Sequence, residues 1–474
     1  MYRSLALLVC SQLLGAISAT QHIHRSPSGT STVDVSPRGA NTTDDTQEVV
    51  ASAWYPDWSG VPPENLSWWK YTHMVYAFGL TTPDPSNIVV DDTRLREFVA
   101  QAKSNGVSPI LAIGGWGGSQ HFSTAVEPEN STSFVNAVLG LVINYGLDGI
   151  DFDWEYPGEQ GIGCNVVAGD DSANFLAFLQ ELKQESPTLV LTAAVGTTPF
   201  IGADQQPMIN VSAFAQVLDR IELMVYDTWW SNTTAGPNAP LIDTCVESQY
   251  QRVSVESAVE AWIAAQFPAE QIVLGLAAYG HSFNVTPTAA ISNSVLNLYP
   301  ALEGAQPVGA SDDLSDTTDA CGNPPVVSGV FTFAQLVSKG FIDANGTAQH
   351  NYLFDECTRT PYVYDEEKHV LVSYDDAQSF AAKGEFILDN GLAGFAMWEV
   401  VGDYNDILVD SLYATLGIED CIYGVSSVKE SCIDSRSRAL TKPRSPTTGQ
   451  SGPAVRCRHY RRDRQACMRP RQRS

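Results

Sequence analysis

Apolar residues along this chain gather in eight short runs. They are VVASAWY (49–55), YTHMVYAFGL (71–80), SPILAIGGW (108–116), GLDGIDFDWEY (146–156), TLVLTAAVG (188–196), RIELMVYDTWW (220–230), IVLGLAAYG (272–280) and GLAGFAMWEV (391–400). Each has strand length and is nearly continuous in apolar side chains, as expected of strands covered on both faces in a parallel sheet. Between them, RLREFVAQAK (94–103), TSFVNAVLGLVINY (132–145), DSANFLAFLQELKQES (171–186) and SVESAVEAWIAAQF (254–267) repeat their apolar positions at helical spacing. The third of these opens on Asp170-Asp171-Ser172, side chains suited to capping a helix start. Strand and helix alternating eight times predict an α/β chain closed into a (β/α)8 TIM barrel. An open doubly wound sheet is the structural rival.

The gap between the seventh and eighth runs is far longer than the rest. A gap of this length is expected to carry its own fold. Residues 282–370 are read as a small α+β insertion forming one wall of a groove, with Asp365-Glu366-Glu367-Lys368 as the turn of a hairpin. The catalytic barrel is assigned to 49–281 and 371–417. At the N-terminus, Arg3, an apolar stretch from Leu5 to about Leu14 and Ala16-Ile17-Ser18-Ala19 have the layout of a secretory signal peptide (1–19). Residues 20–48 are rich in Ser, Thr, Pro and Gly and read as a disordered leader. Residues 418–474, Arg-rich from Lys442 onward, read as a basic, disordered tail.

Composition narrows the partners. The 474 residues carry a formal net charge of −27. Nucleic acid and anionic membrane surfaces would repel such a chain, whereas a neutral polysaccharide would not. Secretion implies an oxidising compartment. Once Cys10 leaves with the signal, Cys164 with Cys245 and Cys321 with Cys357 are plausible bridges, although spacing alone does not fix pairing. N-x-[ST] sequons begin at Asn41, Asn65, Asn130, Asn210, Asn232, Asn284 and Asn345, and so many on a secreted chain point to surface glycans. A monomer is the default expectation.

The fourth run carries the chemistry: Asp148-Gly149-Ile150-Asp151-Phe152-Asp153-Trp154-Glu155-Tyr156-Pro157. Side chains alternate along a strand, so Asp151, Asp153 and Glu155 share one face and Ile150, Phe152 and Trp154 the other. Burying unpaired carboxylates is costly, so such a row calls for an explanation. A metal site is one reading, but the spacing lacks the Gly and terminal Glu of an EF-hand loop. Carboxylates satisfied by neighbours and water are a second. General acid catalysis is the best account, because closely spaced carboxylates hold back each other's ionisation and keep a Glu at the strand tip protonated.

DGIDFDWEYP resembles the DxxDxDxE signature of the family 18 glycoside hydrolases, the chitinase family, with Asp148, Asp151, Asp153 and Glu155 all in place. AIGGW (112–116), Met224-Val225-Tyr226-Asp227, VSYDDAQSFAAKGEF (372–386) and AMWE (396–399) are similar to further family segments in the same order. The likeness covers about 49–417 and is nearest to fungal secreted chitinases. It implies hydrolysis of β-1,4 N-acetylglucosamine linkages in chitin, with retention and with the substrate's 2-acetamido oxygen as nucleophile. Glu155 is then the acid/base. Asp153 and Asp151 are its coupled supports. Tyr226 holds the acetamido oxygen. Trp398 is the sugar's floor, and Met224 and Asp227 shape the same pocket. Tyr156, Tyr279, Trp116, Phe78 and Trp54 are expected to contact substrate, with Trp229 and Trp230 as further groove candidates. Two positions depart from many relatives: Trp54 stands in place of a Tyr, and His281 in place of an Arg.

No metal or cofactor is expected, and the scattered histidines show no ligand spacing. EDTA is therefore expected to leave activity unchanged, whereas a metal-dependent polysaccharide deacetylase would lose its activity to the chelator. Two other rivals share the fold: a chitin-binding lectin and an endo-β-N-acetylglucosaminidase acting on N-glycans.

Overall fold

A computed structural model describes residues 49–229, 231, 233–309 and 318–418. The expected signal peptide and leader, nearly all of the basic tail, Trp230 and the sequons at Asn41 and Asn232 lie outside the described residues.

All eight apolar runs form strands. In chain order these are Val50–Pro56, His73–Thr81, Ser108–Gly114, Gly149–Asp153, Val190–Val195, Arg220–Leu223, Ile272–Ala277 and Gly394–Trp398. They pair in parallel, neighbour to neighbour. The first strand pairs with both the second (Ser52 with His73) and the eighth (Ala53 with Met397), so the sheet closes into a barrel and the open-sheet rival is excluded. Closure leaves no barrel strand with an unpaired edge.

Two apolar layers hold the barrel. The outer one lies between strands and helices, where Ile150, Phe152 and Trp154 meet Phe122, Phe134, Phe175 and Phe178. Phe152 meets Phe178 edge-on at 5.4 Å and Trp154 stacks on Phe122 at 5.1 Å. The inner layer is made of small and mid-sized side chains: Val75, Ala77, Ile110, Ala112, Ala194, Val273 and Ala396, with Trp54 as the large exception. The helices Asp92–Ser104, Ser131–Tyr145, Asp171–Glu185 and Val255–Ala264 occupy the periodic segments read from the sequence.

A second, antiparallel sheet of five strands departs from the end of the seventh barrel strand. Its order is Val330–Thr332, Tyr279–Asn284, Val370–Ser373, Thr360–Asp365 and Asn351–Asp355. The turn at 366–369 joins Thr360–Asp365 to Val370–Ser373, as the sequence implied. The Asp365 carboxylate accepts from the amides of Glu367 and Lys368 and so closes that turn.

Both expected disulfide pairings are corrected. Cys164 bonds to Cys321, and Cys245 to Cys357. The insertion folds back so that each of its cysteine-bearing segments meets a different barrel loop. Pairing follows that three-dimensional proximity, with Cα atoms 5.7 and 5.9 Å apart, and not order along the chain. The capping expectation at Asp170 also changes. Asp170 makes no side-chain cap. Asp171 instead turns inward, where its carboxylate accepts from Ser123 Oγ and from the amides of Gly158 and Ala168. That ties the loop after the fourth strand to the helix behind it.

Candidate active site

The residues singled out from the sequence converge on one end of the barrel. A cavity of about 1150 Å³ opens at the C-terminal ends of the strands. Glu155, Asp153, Tyr156, Met224, Tyr226, Asp227, Trp398, Trp116, Phe78, Trp54 and Tyr279 all line it. Asp151 does not. It lies one step deeper, fully buried, where Thr192 Oγ1 donates to its Oδ1 (2.7 Å) and Trp54 Nε1 to its Oδ2 (3.3 Å).

Alternation along the fourth strand produces this arrangement. Asp151 and Asp153 point into the barrel while Phe152 packs outward, and Glu155 follows just beyond the strand end. Close approach by the neighbouring strands depends on glycine at two points. A Cβ on Gly114 (φ +113°) would come within 2.1 Å of the Asp153 carbonyl. One on Gly275 would sit 2.5 Å from the Leu223 carbonyl and 3.2 Å from the Tyr226 ring. The first of these explains Gly114 of AIGGW; its neighbour Gly115 is required because a Cβ there would come within 2.7 Å of the Phe78 ring.

The segment bearing Glu155 is braced by residues that the sequence did not single out. Buried Ser119 shares its one hydroxyl proton between the carbonyls of Gly115 (2.8 Å) and Asp153 (2.9 Å) and accepts from the Glu155 amide (3.1 Å). Asn165 donates to the Glu155 carbonyl (2.7 Å). Such bracing on main-chain atoms holds a reactive side chain in one geometry. Neither Ser119 nor Asn165 stands in a periodic position or a charged cluster, so no sequence signal marked them.

Protonation follows from burial. Burial, opposed by the hydrogen bond from the Tyr156 hydroxyl and helped by the nearby Asp227 charge, pushes Glu155 up to about 7. The sequence reading credited the neighbouring acids of the row; desolvation is the larger cause, and Asp227 is the neighbouring charge that acts on Glu155. Asp153 is held well above the usual carboxylate range by burial, then by Glu155, Asp151 and Glu222. Its Oδ1 is buried and has no hydrogen-bond partner. Asp151 is raised to about 6 by burial, against the hydrogen bonds from Thr192 and Trp54. Tyr226 is raised by burial and by Asp153, and stays a neutral hydroxyl.

Aromatic rings floor and rim the cavity. Trp398 lies nearly parallel to Phe78 with centroids 5.7 Å apart. Trp58, which the sequence reading passed over, stacks on Phe78 at 6.0 Å and is 56% exposed. Trp116 is 50% exposed and free to meet a ligand. Trp54 is 1% exposed and so lines only the bottom of the cavity, edge-on to Trp398 at 5.9 Å. Trp229 is corrected as a groove residue: it packs in the core of the second sheet against Tyr299 at 5.2 Å and donates to the Thr234 carbonyl. On the wall formed by the second sheet, His281 Nε2 meets Asp227 Oδ1 at 2.6 Å, and Tyr279 hydrogen-bonds Asp227 as well. Among the described residues, no cluster of three or more His, Cys, Asp or Glu could hold a metal ion.

This geometry, a buried carboxyl at a strand end with its titration raised to about 7, above two acids and an aromatic floor, is suited to donating a proton to a bound sugar. The chain is 44% identical over 383 residues to a chitinase-like effector of Moniliophthora roreri, covering 78% of this chain and 94% of that protein. It is 30% identical to chitotriosidase-1 of Mus musculus, over 69% of this chain and 66% of that one. A crystal structure of a chitinase from Rhizomucor miehei superposes with a TM-score of 0.70 at 32% identity, covering 77% of this chain and 99% of the other. The family model for glycosyl hydrolases family 18 matches residues 51–403, and on that match, with the barrel and its acidic strand, the chain belongs to family 18 of the glycosyl hydrolases.

Proposed function

We propose that this chain is a secreted chitinase that hydrolyses β-1,4 N-acetylglucosamine linkages with retention, using Glu155 as acid and base. The observation that carries the reading is the Glu155 carboxyl at the cavity, whose burial raises its titration to about 7.

In this scheme a chito-oligosaccharide lies along Trp58, Phe78, Trp398 and Trp116. Glu155 protonates the glycosidic oxygen as the substrate's acetamido oxygen attacks the anomeric carbon. Asp153, whose Oδ1 has no partner within the chain, accepts the acetamido N–H and stabilises the positive charge that develops. Tyr226, a neutral donor in the same cavity, orients the acetamido oxygen. Glu155, now ionised, takes a proton from water, which opens the intermediate with net retention. Asp151 lies behind Asp153 and shares the coupled titration of the row. Trp54, at the bottom of the cavity, steadies Asp151 and Trp398.

Chitotetraose cleavage tests the proposal: shorter products with the β-anomer formed first support it, and no products at any pH overturn it. A second reading, a chitin-binding protein without hydrolysis, is favoured by the effector names of two relatives at 44% and 40% identity. Binding of chitotetraose without products would establish it. The presence of Glu155, Asp153 and Tyr226 in one cavity favours hydrolysis.

The pH dependence follows in sign. Glu155 must enter the reaction protonated, and its carboxyl titrates at about 7. Activity is therefore expected to be retained below that value and lost above it. A fall in kcat/KM of about tenfold per pH unit on the alkaline side is the expected profile. An alkaline limb below pH 5 would be inconsistent with a buried, neutral Glu155.

A further inference from the structure

Two opposite walls of the cavity are joined by a piece of chain that the scheme above does not use. In the closed ring of strands the third and the seventh stand opposite each other, with equal numbers of strands between them on either side. The loops that follow these two strands therefore face each other across the cavity mouth. The seventh strand leads into the second sheet, where Val330–Thr332 pairs with Tyr279–Asn284. The third leads into the loop of Trp116, Gly117 and Gln120. Residues 320–332 touch both sides. At one end, Val330 and Thr332 line the cavity, and the Gly329 carbonyl accepts from the amide (2.9 Å) and hydroxyl (2.8 Å) of Ser282. At the other, Ala320 lines the same cavity beside Trp116 and Gly117, and its carbonyl accepts from Gln120 Nε2 at 3.1 Å. Cys321, the next residue, is bonded to Cys164 in the loop after the fourth strand.

We propose that this strap, residues 320–330 fastened by the Cys164–Cys321 bond, sets the form of chitin that the protein accepts: polymer enters by a free chain end and short oligosaccharides enter directly, whereas interior segments of long chains are refused. The inference rests on the chitinase reading and adds to it the way substrate reaches Glu155.

A bridge between opposite walls lets a thread pass by its end but does not let a length of it be laid in from above. The strap leaves no side entrance where it meets the Trp116 loop. A Cβ placed on Gly117 would stand 3.5 Å from the Ala320 Cβ. The space between them is thus no wider than a methyl group, and a sugar ring does not fit. The strap is also stiff. The Asp319 carboxylate accepts from the amides of Cys321 (2.9 Å) and Asn323 (2.8 Å), which closes the turn that carries the disulfide. Pro324-Pro325 follow, and their fixed φ angles restrict the chain between the two anchors.

The disulfide has a second neighbour that the test has to separate from access. Asn165, next to Cys164, donates to the Glu155 carbonyl. Opening the bond therefore also loosens a brace of the acid, which slows turnover of every substrate alike. Loading of substrate, compared between long and short chains, is free of that effect.

The test follows loading of soluble, partly deacetylated chitin into Glu155→Gln protein by the fluorescence of the cavity tryptophans. Fractions of different chain length are compared at equal sugar mass, with chitotetraose as the reference. If chains enter by their ends, the association rate should halve each time the chain length doubles, because the ends become half as many. Adding Cys164→Ser/Cys321→Ser removes the covalent tie and should make the rate independent of length, with chitotetraose loading retained. Length-independent loading of the strapped protein overturns the proposal, and does so even where the double Ser variant fails to fold. A folded double Ser variant that keeps the length dependence overturns it too. In the wild type, entry by ends should show as a slow fall in polymer viscosity per bond cut, and a steep early fall would refute it. A wild type that cuts no chitin, while loading still follows the number of chain ends, would reject the chitinase reading and leave the role of the strap standing.

Discussion

Replacing Glu155 by Gln is expected to reduce hydrolysis of chitohexaose by about 10²–10⁴-fold while leaving binding of the oligosaccharide nearly unchanged. The substitution keeps the size of the side chain and the braces on its backbone, the Ser119 and Asn165 hydrogen bonds, which engage main-chain atoms. It removes the one proton that the leaving oxygen requires. That proton acts in the transition state, so the loss should fall on kcat and spare affinity. Calorimetric titration of the variant with chitotetraose, beside an initial-rate assay, separates the two. Turnover close to wild type would remove Glu155 from the mechanism. A matching loss of binding would mean that it positions substrate and does not donate a proton.

The second large effect concerns stability. Lys383 and Asp375 form an ion pair with Nζ to Oδ1 at 2.6 Å, and their side chains are 1% and 2% exposed. The pair joins the helix Ala377–Asn390 to the chain leaving the second sheet at Ser373. Lys383→Met would strand the Asp375 carboxylate, whose Oδ2 already lacks a partner. Removal of one member of a buried pair costs about 3–5 kcal/mol, because the remaining charge is desolvated and uncompensated. Denaturant or thermal unfolding should show a loss of that size. The double variant Lys383→Met/Asp375→Leu should recover most of it, since the stranded charge is then gone. A single variant that unfolds within about 1 kcal/mol of wild type would contradict this account.

Several pairs of like residues show where reading the chain runs out. Asp375 and Asp376 are adjacent and identical in the sequence, yet the first holds Lys383 and the second caps the helix through the amides of Gln378 and Ser379. Asp170 and Asp171 divide in a similar way: the expected cap is absent, and its neighbour ties the Glu155 loop to the helix. Among the aromatics, Trp58 lines the cavity while Trp229 packs in the second sheet's core, although both stand in loops that follow barrel strands. In each case local pattern gives residue type and approximate place, but the direction of the side chain depends on what packs beside it.

The sequence by itself determined the strands and helices, the facing of Asp151, Asp153 and Glu155, and the chemistry that such a row supports. Those features arise from periodicities of two and 3.6 residues, which are local properties of the backbone. Tertiary structure alone decided both disulfide partners and the bracing of Glu155 by Ser119 and Asn165. These depend on contacts between residues too far apart along the chain for either period to relate, and no local period encodes which segments meet.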